Sequence, residues 1–77
     1  MKNNEKVFAV EFECDNCGYK WKEEFYRGDR VTQWWDGVRI HDHRCTGRRS
    51  CPYCRIIKCP ICDIEKDVKI VDRKPLL

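Results

Sequence analysis

Three Cys-x-x-Cys pairs constrain this chain more than any other feature. They are Cys14-Asp15-Asn16-Cys17, Cys51-Pro52-Tyr53-Cys54 and Cys59-Pro60-Ile61-Cys62, and only Arg55-Ile56-Ile57-Lys58 separates the last two. A seventh cysteine, Cys45, stands close to His41 and His43. Two thiols three positions apart can face one ion from a single tight turn, so such pairs read as metal ligands wherever thiols stay reduced. The start, Met1-Lys2-Asn3-Asn4-Glu5, has no apolar run behind it, and no stretch approaches the ~20 apolar residues that cross a bilayer. The expectation is a cytoplasmic chain without a membrane segment, in which metal rather than disulfides does the stapling. The odd cysteine count agrees, because a histidine supplies an eighth ligand.

The chain needs such a staple. At 77 residues, with 38% of them charged, and with a mean hydropathy of -0.76, it has little apolar surface to bury. Domains this small usually add metal or disulfides to their core. One domain spanning residues 1–77 is expected, with loose tails at 1–5 and 73–77.

Hydrophobic patterning divides the chain into short strands. Phe8, Val10 and Phe12 alternate with Ala9, Glu11 and Glu13, a half-buried strand from Val7 to Glu13. Cys14 to Gly18 is a turn, Gly18 standing where positive φ is needed. Tyr19, Trp21 and Phe25 then alternate with Lys20, Lys22 and Glu24, closing a hairpin with two thiols at its tip. Val31 to Trp35 and Val38 to Ile40 flank Asp36-Gly37 as a short hairpin. His41 to Ser50 reads as loop. Arg55 to Lys58 and Ile64 to Val71 read as strands on either side of Cys59 and Cys62, a second thiol-tipped hairpin. No helix of length is expected.

Two thiol-tipped hairpins are the plan of the zinc-ribbon family. Phe12-Glu13-Cys14-Asp15-Asn16-Cys17-Gly18-Tyr19-Lys20-Trp21 resembles its first hairpin, and Lys58-Cys59-Pro60-Ile61-Cys62-Asp63 its second knuckle, with Asp63 in place of a frequent glycine. The resemblance covers about half the chain. It implies a small zinc-dependent β-rich domain with a metal-binding insertion between its knuckles. It also implies service in transcription or translation, by binding nucleic acid or docking on a polymerase or ribosome.

Thiolates and neutral imidazoles suit Zn(II), four to a closed tetrahedron; iron in a rubredoxin-like Cys-x-x-Cys setting is the alternative. Nine candidate donors fill two sites with one left over. A nested pairing puts Cys14, Cys17, Cys59 and Cys62 on one zinc and Cys45, Cys51, Cys54 and a histidine on the other. A crossed pairing joins Cys14 and Cys17 to Cys51 and Cys54. A sequential pairing gives one ion all of Cys51, Cys54, Cys59 and Cys62, which asks much of a four-residue link. Nested ranks first because its second site closes a short local loop. His41, four positions before Cys45, is favoured over His43, which is only two away.

No catalytic constellation competes with this. Cys51-Pro52-Tyr53-Cys54 matches the glutaredoxin motif, but the helix that lowers the thiol pKa there is not expected here. Four protein ligands leave zinc no position for a substrate, so the chain is not expected to be an enzyme.

The net charge of +3 is unevenly placed: residues 1–26 sum to -2, 27–58 to +5 and 59–77 to zero. The basic centre is mostly arginine, the better fork for phosphate. Arg44, Arg48, Arg49, Arg55 and Lys58 are the candidate phosphate contacts. Trp34 and Trp35 are adjacent and face opposite ways in an extended segment, so one is left to stack on a base or anchor an interface. Nucleic acid, alone or within a nucleoprotein machine, is the first partner expected. A zinc-shaped protein–protein docking adaptor is the second reading.

Overall fold

The computed structural model describes residues 5–34, 36–45 and 51–76. Trp35, Arg48 and Arg49, expected above to meet nucleic acid, lie outside the described residues. Six strands form two three-stranded antiparallel sheets, and there is no helix among the described residues.

The first sheet is built on β1 (Lys6–Cys14), whose alternation works as expected. Phe8, Val10, Phe12 and Cys14 turn inward, while Ala9, Glu11 and Glu13 line the other face, half-buried. Along one edge runs β2 (Lys20–Tyr26), paired antiparallel from Lys6↔Tyr26 to Glu13↔Lys20 with one register shift between Lys6 and Phe8. Three aromatic contacts fill the space between them. The Phe12 and Trp21 rings, and the Phe8 and Phe25 rings, are 5.5 Å apart, and Phe12 meets Phe25 edge-on at 6.4 Å. Each such pair adds about 0.5–1.5 kcal/mol beyond area burial.

The second sheet comes from the insertion. It has the order β3 (Arg30–Trp34), β4 (Gly37–His41), β5 (Arg55–Ile57). The hairpin between β3 and β4 is the expected one, but Gly37 pairs with Trp34 as the first residue of β4 rather than closing the turn. Its φ of 144° suits only glycine, and a Cβ there would stand 3.0 Å from the Glu65 carbonyl oxygen. This close approach seats the β3–β4 turn on the loop that follows Cys62. Val38, Ile40 and Ile57 of the second sheet join Phe8, Val10, Phe12, Phe25 and Val68 in one core, which Cys14 and Cys59 complete.

Three expectations change. The strands around Cys59 and Cys62 are not two arms of one hairpin. β5 pairs with β4, and β6 (Val68–Pro75) pairs with β1 from Cys14↔Val68 to Phe8↔Pro75. The reason is burial: β4 hides Gly37, Val38, Ile40 and His41, so a partner on each edge satisfies its backbone, and β1 has the same need. The turn at Cys59–Cys62 therefore joins two sheets. Second, residues 73–75 belong to β6 and are not tail, and Leu76 N–H still donates to the Val7 carbonyl at 2.9 Å. An apolar pattern does not signal this extension, because Arg73 and Lys74 are exposed; backbone pairing and the Arg73 guanidinium, 4.4 Å from the Phe8 ring centre, hold it. Third, His41 is not in a loop but ends β4, opposite Arg30.

Candidate metal centres

Two turns of matching geometry form the first centre. In one, the Gly18 N–H donates to the Cys14 carbonyl at 2.7 Å and the Cys14 N–H donates to the Tyr19 carbonyl at 2.9 Å. In the other, the Asp63 N–H donates to the Cys59 carbonyl at 2.9 Å and the Cys59 N–H donates to the Ile64 carbonyl at 3.1 Å. The offsets are identical, and the residue after each second cysteine has positive φ: 79° at Gly18 and 59° at Asp63. Aspartate tolerates that region better than most residues, which is how Asp63 fills a glycine position.

These turns bring Cys14, Cys17, Cys59 and Cys62 together, their sulfurs all within 4.8 Å of one another. Cys14 Sγ is 3.5 Å from Cys62 Sγ and Cys17 Sγ is 3.5 Å from Cys59 Sγ. A disulfide needs ~2.05 Å. A tetrahedron of zinc–sulfur bonds of ~2.3 Å has edges of about 3.8 Å, so the spacing suits four ligands of one ion. None of the seven cysteines is in a disulfide.

The electrostatics suit a cation. Burial pushes the Cys59 thiol up, but the Cys62 and Ile61 amides and the neighbouring thiols pull it down to about 7. At Cys17 the Tyr19 amide pulls down, yet burial and the crowding of Cys59, Cys14 and Cys62 push the thiol up to about 12. One thiol ionises at the expense of its neighbours, and a divalent ion removes that conflict.

The second centre is His43, Cys45, Cys51 and Cys54, again within 4.8 Å of one another. Together with the first, this is the nested pairing. Tetrahedral zinc with bonds of ~2.0 Å to nitrogen and ~2.3 Å to sulfur puts N and S about 3.5 Å apart. His43 Nε2 lies 3.4 Å from Cys54 Sγ and 3.6 Å from Cys51 Sγ, and Cys54 Sγ lies 3.7 Å from Cys45 Sγ. Here too one thiol is low and another high. Cys51 falls to about 7, chiefly through the Tyr53 amide, while Cys54 rises to about 12 through burial and the crowding of Cys51 and Cys45.

The histidine preferred from spacing is not in this set. His41 sits beside it, with Nδ1 3.0 Å from Cys54 Sγ, but stands outside the four whose ligand atoms all lie within 4.8 Å of one another. The objection that His43 is too near Cys45 fails physically. The chain bends at His43, and its ring nitrogen and the Cys45 sulfur reach one group although the residues are only two apart. Burial, then the nearby His43, Arg30 and Arg39, lower the His41 pKa.

Polar contacts hold this loop to its sheet. The Arg39 guanidinium donates from Nη1 to the Cys51 carbonyl at 3.3 Å, and Arg55 Nε meets Asp42 Oδ2 at 3.3 Å. Arg44 and Lys58 are exposed, as a phosphate contact must be, while Trp34 is half-buried. Arg44 also borders, with Gly28, Arg30 and His43, a concavity of about 310 Å³. Sequence reasoning missed Tyr53. It caps the turn between Cys51 and Cys54, edge-on to His43 with ring centres 6.0 Å apart, and is 78% exposed. Its position between two ligands of one pair was the available signal. Ile61, 65% exposed, occupies the same place between Cys59 and Cys62.

No protein-family model matches the chain, and neither a curated protein nor a solved structure matches it. What stands is the architecture: a small β-rich, zinc-ribbon-like domain with one cluster of four cysteines and one of three cysteines and a histidine, each able to hold a zinc ion. No helix of the described residues is long and apolar enough to cross a membrane.

Proposed function

We propose that this is a non-enzymatic nucleic-acid-binding protein of the cytoplasm, its two zinc ions structural, working as a small component of a ribosome- or transcription-associated machine. The observation that carries the reading is the unequal charge. Residues 27–58, which contain the second sheet and second centre, have eight Lys/Arg against three Asp/Glu. Exposed Arg30, Arg44, Arg55 and Lys58 and the ring of Tyr53 belong to this region. Phosphate contacts come from the cations, with Arg48 and Arg49 of the same segment among them. Tyr53 supplies a stacking platform pinned between two ligands, so little entropy is lost on binding.

The test is fluorescence anisotropy with short labelled RNA and DNA across a salt series. Affinity is expected to fall steeply with salt, and the double change Arg48→Ala/Arg49→Ala to shallow the slope by about two units, with zinc content unchanged. Binding that barely responds to salt overturns the reading.

The protein–protein docking reading has its own support in Ile61, an exposed aliphatic on a rigid turn. The first sheet supports it too, with residues 1–26 at net -2. Capture of a partner from nuclease-treated lysate, lost on Ile61→Asp, favours docking over nucleic acid.

A further inference from the structure

We propose that His41 donates a hydrogen bond from Nδ1 to the Cys54 thiolate of the second centre, and thereby shields that sulfur from electrophiles and oxidants. His41 is 5% exposed, and it is the one polar side chain buried among the described residues. A buried imidazole without a partner is destabilising. The partner here is Cys54 Sγ, at 3.0 Å from Nδ1. A zinc-bound thiolate has no proton to give, so the imidazole N–H is the donor. Membership of the donor set separates this role from ligation: His43 stands with Cys45, Cys51 and Cys54 in a group whose ligand atoms all lie within 4.8 Å of one another, and His41 is outside that group while touching Cys54.

The chemical consequence follows from charge. Three thiolates and a neutral imidazole leave Zn(II) with net negative charge, and that density sits on the sulfurs. A hydrogen bond withdraws it from one of them. Cys54 is the sulfur that needs this most. It touches His43 and Cys45 as well as His41, so its loss would disturb the whole set. The position of His41 at the end of β4 fixes the donor to the second sheet rather than to the loop that carries the ligands. His41 is therefore a positioning and protecting residue for a centre it does not ligate.

Asparagine can place its amide N–H where Nδ1 stands; leucine fills similar space without a donor, and glutamine puts its amide beyond it. The experiment alkylates the zinc-loaded protein with iodoacetamide and follows each cysteine by peptide mass spectrometry, with native mass spectrometry counting zinc. In His41→Leu, Cys54 should react about tenfold faster than in the wild type while Cys17 of the first centre is unchanged. His41→Asn should restore the slow rate. In the cobalt-substituted protein, the sulfur-to-metal band should shift to longer wavelength for His41→Leu and return for His41→Asn. If leucine unfolds the domain, His41→Gln takes its place, with fast Cys54 expected. Unchanged Cys54 reactivity in a folded donorless variant overturns the proposal. So does loss of one zinc from that variant, which would make His41 a ligand.

Discussion

The two metal centres have similar donors and different foundations. In the first, Cys14 and Cys59 are fully buried members of the core, and both turns are closed by backbone hydrogen bonds. Strands β1, β2 and β6 all reach it or pair beside it, so an ion held there would sit at the end of the first sheet, where the chain arrives from the second. In the second, all four ligands are half-buried, and side-chain contacts from Arg39 and Arg55 hold the loop. The difference teaches that equal coordination chemistry can serve unequal ends. An ion in the first would complete a core; an ion in the second would tie together half-buried side chains beside the second sheet.

The strongest way to break this comparison is to remove one ion at a time. Structural zinc contributes ~10–16 kcal/mol in small finger peptides, against ~5–15 kcal/mol of net stability for typical domains. Cys59→Ser should therefore unfold both sheets, because it removes a ligand and a core residue together. Cys51→Ser should lower the zinc count to one while the amide resonances of β1, β2 and β6 stay dispersed. Native mass spectrometry and amide NMR read both. If Cys51→Ser collapses the whole chain, the centres are equivalent and the contrast is lost.

A smaller effect is expected where the sheets meet. Gly37 combines a φ of 144° with a Cβ position 3.0 Å from the Glu65 carbonyl oxygen, a backbone atom that cannot swing away. Gly37→Ala should cost about 1–3 kcal/mol through strain and overpacking. Denaturant unfolding at fixed free zinc measures it. The loss should appear first as weakened protection of β3 and β4 amides. A neutral alanine would mean that the turn and the loop after Cys62 are not seated on each other.

The sequence was most readable where structure is local. Phe8, Val10 and Phe12 announce β1, and Cys14-Asp15-Asn16-Cys17-Gly18 announces its turn, because alternation and ligand spacing are short-range signals. Two zinc clusters follow from the same counting. The partners of β5 and β6 were not readable. Nothing in Arg55-Ile56-Ile57 says that these residues add to β4 rather than return along Val68-Lys69-Ile70-Val71, since edge satisfaction depends on which strand is already covered. His43 was lost to His41 because a common finger spacing was preferred, and the bend at His43 that brings its ring to the cysteines carries no sequence signal. Tyr53 was lost because exposure is a tertiary property.

The finest test of the comparison lies within the first centre, between its two turns. Gly18 and Asp63 follow equivalent cysteines and donate the same hydrogen bond, to the Cys14 and Cys59 carbonyls. Both have positive φ, 79° and 59°. A Cβ on Gly18 would meet nothing within 4 Å, so Gly18→Ala isolates the backbone preference and should cost about 1 kcal/mol. At Asp63 the side chain is already accommodated. Asp63→Gly relieves the residual strain but adds freedom to the unfolded chain, and the two effects oppose each other. Its net effect should lie within about 0.5 kcal/mol of zero. Asp63→Ala keeps the Cβ without the short polar group that favours this conformation, and should resemble Gly18→Ala. Thermal unfolding at fixed free zinc ranks the three. If Asp63→Gly instead destabilises as much as Gly18→Ala, the aspartate carboxylate contributes something to the second turn beyond permitting its backbone, and the two turns are alike in geometry only.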